Sequence, residues 1–82
     1  MSSKALRPIL PEESLSIKST MLAAAKAPNQ DLLSNEYKLA TANGYVELRC
    51  DIKGGRPYFQ CEGKHINKSI LDSILGSGLI EV

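Results

Sequence analysis

The chain has no tryptophan, one phenylalanine and three tyrosines among its 82 residues. A core of this size rests on Leu and Ile, and its stability margin is thin. Long hydrophobic runs are missing as well. The longest apolar stretch, around Met21 to Ala25, falls far short of the ~20 residues needed to cross a bilayer. No charge of either sign dominates: ten Lys or Arg stand against nine Asp or Glu, for a net charge of +1. That balance argues against a generic polyanion binder and against an acidic solvating tail. Two cysteines are too few for the disulfide scaffold of a small secreted domain. Near the N-terminus, Pro8, Pro11, Glu12 and Glu13 interrupt what would be the apolar segment of a secretory signal. These absences describe a soluble cytoplasmic protein with reduced thiols and no membrane partner.

What is present is ordinary globular composition, 43% hydrophobic and 23% charged. Residues 1–10 lack a clear period and are expected to form a flexible N-terminal arm, with residues 11–82 a single small domain. Pro11-Glu12-Glu13 is a helix start, because proline suits the first helical position and acids favour the positive end of the helix dipole. Leu15, Ile17, Met21, Leu22 and Ala25 then recur loosely at helical spacing, and Pro28 ends the helix. Asn29 to Asn35 reads as one helical turn or an irregular link. From Glu36 the period changes to two. Asn43-Gly44 between alternating runs predicts a hairpin with a type I′ turn, in which Thr41 opposes Val46, Leu39 opposes Leu48 and Tyr37 opposes Cys50.

A four-residue loop, Gly54-Gly55-Arg56-Pro57, would set Lys53 opposite Tyr58, Ile52 opposite Phe59, Cys50 opposite Cys61 and Arg49 opposite Glu62. Val46, Leu48, Cys50 and Ile52 then share an apolar face. Tyr45, Glu47, Arg49 and Asp51 share the other. Asn67 or Ser69 caps a last helix in which Ile66, Ile70 and Ile74 repeat every four residues beside Leu71 and Leu75. Leu79 to Val82 forms a short strand or a tail. The fold class expected is α+β: a small three-stranded antiparallel β-meander, covered on one face by the C-terminal apolar helix and a weaker N-terminal helix.

Cys50, Cys61 and His65 are the only soft-ligand set. A structural zinc site wants four ligands with a tight cysteine knuckle, whereas residues 51–60 separate these thiols. They read as small core residues facing each other across a hairpin, with a regulatory disulfide as the alternative. His65 has no nucleophile or paired acid nearby in sequence. There is no Gly-x-Ser-x-Gly elbow, and Gly54-Gly55 lacks the continuation of a phosphate loop. No catalytic residue, cofactor, metal or small-molecule substrate is indicated, and the chain is not expected to be an enzyme.

Between Lys53 and Lys68, four bases face the single acid Glu62, a local balance of +3. The candidate binding residues are Lys53, Arg56, Lys64 and Lys68, joined by Tyr45, Tyr58 and Arg49 on the outer face. Glu47, Asp51 and Glu62 dilute that face. The function expected is a small non-catalytic interaction module. It would act through protein–protein binding or through self-association into a homodimer, using the edges Tyr37–Thr41 and Tyr58–Cys61 and the apolar Leu6, Ile9, Leu10, Leu79 and Ile80. The alternative is a small nucleic-acid-binding regulator using the basic stretch Lys53–Lys68.

Overall fold

A computed structural model describes residues 5–27 and 34–81. In chain order the elements are β1 (Leu6–Pro8), α1 (Pro11–Lys26), β2 (Glu36–Thr41), β3 (Gly44–Lys53), β4 (Arg56–Cys61), β5 (Lys64–His65), α2 (Lys68–Gly76) and β6 (Leu79–Glu81). The expected link over Asn29–Asn35 falls largely outside the described residues. No helix among them is long and apolar enough to cross a membrane.

The three-stranded meander is wrong. The described strands form one six-stranded antiparallel sheet in the order β1-β6-β2-β3-β4-β5. The three additional strands are two or three residues long, too short to display a period of two. Within the expected N-terminal arm, Leu6–Pro8 is the outermost strand and pairs with β6 through Leu6↔Glu81, Arg7↔Ile80 and Pro8↔Leu79. The terminal Leu79–Glu81 also bridges to β2 at Ala40↔Leu79. On the far side, Glu62 adopts φ 51° and Gly63 φ 80°. Positive φ at both central positions makes a tight two-residue turn, so β5 folds back along β4 with Cys61↔Lys64 and Gln60↔His65.

Both expected hairpin registers slip by two residues. Ala42 and Asn43, not Asn43 and Gly44, occupy the first turn, and only Gly44 takes positive φ, at 115°. The loop is the two residues between the paired Thr41 and Gly44, one position earlier than the type I′ turn expected at Asn43-Gly44. Leu39 therefore opposes Val46, and Tyr37 opposes Leu48. In the second hairpin the loop is only Gly54-Gly55, with φ of 57° and 76°, so Arg56 and Pro57 belong to β4. Lys53 opposes Arg56, Ile52 opposes Pro57, Cys50 opposes Phe59 and Leu48 opposes Cys61. Arg49 faces Gln60 rather than Glu62. A slip of two keeps each side chain on its face, which is why the apolar and polar faces are as expected while every partner differs.

Both helices pack on one face of the sheet. Ile9, Met21, Leu39, Leu48, Cys50, Leu71 and Leu75 form the buried cluster. In α1, Pro11 opens the helix, and Glu13 accepts a hydrogen bond from the Leu10 N–H at 2.9 Å. The helix ends at Lys26, just ahead of Pro28. Asn67 caps α2 by accepting from the Ile70 N–H at 2.8 Å. Leu71 and Leu75 are the fully buried residues of α2; Ile66 and Ile74 pack half-buried against the core, and Ile70 is 46% exposed. Ile9 and Gly78 are buried; Leu6 and Leu10 remain exposed, while Leu79 and Ile80 are half-buried. Part of the apolar surface expected to drive self-association is thus consumed within the chain.

Candidate functional site

No described element covers the outer face of the sheet. Cross-strand pairing places Glu36, Lys38 and Ala40 of β2 beside Arg49, Glu47 and Tyr45 of β3. Asp51 and Lys53 lie beside Tyr58 and Arg56 of β4, and His65 of β5 beside Gln60. The seven candidate residues do not form one site. Arg49, in the middle of the face, is occupied: its guanidinium lies 3.0 Å from Asp51 and 3.4 Å from Glu36. The hydrogen bond to Asp51 is the main reason its pKa is raised, and Gln60 donates to the same Asp51 oxygen at 3.1 Å. Tyr45 sits at the other end of β3, 64% exposed, with Lys38 Nζ 5.3 Å from its ring centre. Lys64 opposes Cys61 beside the Glu62-Gly63 turn, away from Lys53.

Lys53, Arg56 and Tyr58 do come together, at the end of the β3–β4 hairpin. Lys53 Nζ stands 3.9 Å from the Tyr58 ring centre, a close cation–π contact. From the β5 side, the His65 ring stacks on Tyr58 at 4.3 Å with the planes 6° apart. Tyr58 is thus engaged from both neighbouring strands, which removes it as a free platform for a base. His65 hydrogen-bonds no carboxylate or hydroxyl among the described residues, and no cluster of three His, Cys, Asp or Glu residues there is arranged to hold a metal ion. Cys50 is buried and Cys61 half-buried; both are free thiols. They occupy diagonal positions on the core face, because Cys50 opposes Phe59. Burial is the main cause pushing both thiols up from their ordinary pKa.

The helix side of β4 carries a different surface. Between α1, β4 and the start of α2 lies a groove of about 470 Å³. Its apolar lining comes from Leu15, Leu22, Phe59, Ile66 and Leu71. Leu15 is 59% exposed, a large loss of burial for a helix stripe that faces a neighbouring helix. Lys18, Ser19, His65, Asn67 and Lys68 supply the polar lining, without a carboxylate. Lys18 is ion-paired to Asp72 of α2 across the helix pair. Lys68 pairs with no described acid. It also stands at the positive end of α2, whose first turn contains no acidic residue. The groove is electropositive at its α2 end.

Compared with protein-family models, curated proteins and solved structures, the chain matches none. Its surfaces must be interpreted from their own chemistry. The sequence did not mark Leu15, Lys18, Leu22, Phe59 and Ile66 as lining one groove. The visible signal was the Leu15–Lys18–Leu22 spacing, three and four residues along one helical face, which reads equally as core. Lys68 was identified for its charge alone. What brings it beside Pro57 and His65 in the groove lining is the reversal at β5.

Proposed function

We propose that this chain is a small, non-catalytic interaction module of the cytoplasm that docks an acidic amphipathic segment of a partner protein. The groove between α1, β4 and α2 carries this reading. It has an apolar lining that the fold leaves uncovered, and at its α2 end Lys68 pairs with no described acid. Amphipathic helices bind such grooves through apolar side chains spaced three and four residues apart. Acids on the partner would meet Lys68 and the positive end of α2, which sets orientation more than affinity. No redox, hydrolytic or transfer chemistry is needed for such a role.

The test is affinity capture with nuclease-treated extract, followed by purification of the captured protein and calorimetry. Leu15→Asp is the discriminating variant, because its exposed position allows the substitution without loss of the fold. A partner that survives nuclease, binds the wild-type chain and loses tenfold or more affinity for Leu15→Asp supports the reading. Equal binding by Leu15→Asp, or a partner released by nuclease, overturns it. Light scattering on the purified chain decides whether the partner is a second copy: a dimer dissociated by Leu15→Asp would put self-association in the groove.

A further inference from the structure

The open face follows one electrostatic rule and breaks it once. Across β2 and β3, Glu36 opposes Arg49 and Lys38 opposes Glu47, so both charged pairs join opposite signs. At the end of β3 and β4, Lys53 opposes Arg56. Like charges directly opposite each other destabilise a strand pair, and neither cation makes an ion pair with a described residue. Departures of this kind concentrate where function overrides stability.

This pair also stands apart from the sheet. β2 accompanies β3 only up to Arg49, and β5 accompanies β4 only at Gln60 and Cys61. Further bonds, from the Cys50 N–H to Asn35 O and from the Ile66 N–H to Phe59 O, extend these contacts by one residue. Among the described residues, Asp51–Tyr58 is therefore a two-stranded ribbon with no further strand on either side. Its arms project by three residues, about 10 Å at ~3.4 Å per residue. The tip is Gly54-Gly55, both exposed, with open space where side chains would be. A narrow, bare, positively charged ribbon end is convex. It does not enclose a phosphorylated side chain, but it has the shape that enters a nucleic-acid groove.

We propose that the β3–β4 ribbon is a duplex-DNA-binding element that inserts its Gly54-Gly55 tip into the major groove while Lys53 and Arg56 contact phosphates on either side. The B-form major groove, ~12 Å wide, admits a two-stranded ribbon, whereas the deep, narrow major groove of duplex RNA does not. Arg56 supplies a forked phosphate donor and Lys53 a flexible point charge. His65 clamps Tyr58 from β5, and this stiffens the base of the ribbon. Lys68 adds positive potential on the helix side of the same strand. Pro57, His65 and Lys68 border the apolar groove as well, but Lys53, Arg56 and the Gly54-Gly55 tip do not line it, and neither proposal depends on the other.

Fluorescence anisotropy with a labelled duplex DNA of about 20 base pairs, its single strand and the matching duplex RNA tests the assignment at about 25 and 150 mM salt. The expected result is tightest binding of duplex DNA, weakening with salt. The double change Lys53→Glu/Arg56→Glu lowers affinity by roughly tenfold or more and flattens the log–log salt slope by about 2. Lys38→Glu, a control on the same face away from the ribbon, changes affinity less than about twofold. Thermal melts confirm that both variants fold, since all three side chains are exposed. No duplex binding at low salt, equal binding by the double variant, or preference for single-stranded DNA or duplex RNA overturns the proposal.

Discussion

Gly78 lies hard against Leu39. A β-carbon on Gly78 would come within 2.6 Å of Leu39 Cδ1 and 2.8 Å of Ile9 Cδ1. Leu39 is fully buried in β2 and Ile9 nearly so, so making room for a methyl means repacking both side chains within the core. This contact lets the chain pass from α2 into β6, and the Ile9 N–H donates to the Gly78 carbonyl at 3.1 Å. Gly78→Ala is expected to lower stability by about 1–3 kcal/mol through overpacking. Gly76, also at the end of α2, has open space around it and no positive φ; there alanine is neutral or stabilising by up to ~1 kcal/mol. Urea midpoints for the two variants provide the check, and equal midpoints would show that the core yields at Gly78.

The orientation of α2 is tested by a pair of truncations. Leu75→Ala removes a fully buried side chain and is expected to cost about 2–5 kcal/mol. Ile70→Ala removes one that is 46% exposed and should stay within roughly 1 kcal/mol. Denaturant melts that ranked Ile70 above Leu75 would restore the isoleucine stripe as the core face.

Acid should loosen the junction between β1 and α1. Arg7 binds both Glu13 oxygens at 2.7 Å. That pairing, followed by the bond from the Leu10 N–H, lowers the Glu13 carboxyl from 4.5 to about 2. Because the folded value lies below the unfolded one, the stabilisation is complete above pH 4.5 and is lost as pH falls towards about 2. Urea midpoints across this window should fall less steeply for Glu13→Gln than for wild type. Parallel pH profiles in the two proteins would remove Glu13 from the acid response.

Thiol reactivity should separate the two cysteines. Cys50 is fully buried and Cys61 half-buried, and burial raises both pKa values. With an aromatic disulfide reagent at neutral pH, Cys61 is expected to react slowly and Cys50 only as fast as the chain opens. Denaturant should make the two rates converge. Cys50 labelling at the rate of a free thiol in the native protein would place it outside the core.

The alternating residues from Tyr37 to Ile52 determined which side chains face the helices. Pro11-Glu12-Glu13, Pro28 and Asn67 marked the helix ends. Those features depend on neighbours along the chain and are legible without a fold. Hairpin register was not, because a shift of two leaves every face unchanged; turn conformation at Gly44 and Gly54-Gly55 chose the partners. β1, β5 and β6 were illegible for a related reason, since two or three residues carry no period and become strands only when a neighbour supplies hydrogen bonds.

The candidate sites divide in the same way. The sequence by itself determined a near-neutral chain with a basic stretch from Lys53 to Lys68, and it listed the charges without saying which were free. Tertiary structure gave Arg49 to Glu36 and Asp51, engaged Tyr58 between Lys53 and His65, and left Lys53 and Arg56 opposed at a projecting tip. It also opened the apolar groove beside Leu15. Charge and periodicity are properties of order along the chain; whether a charge is neutralised, or an apolar stripe covered, depends on which surfaces folding brings into contact.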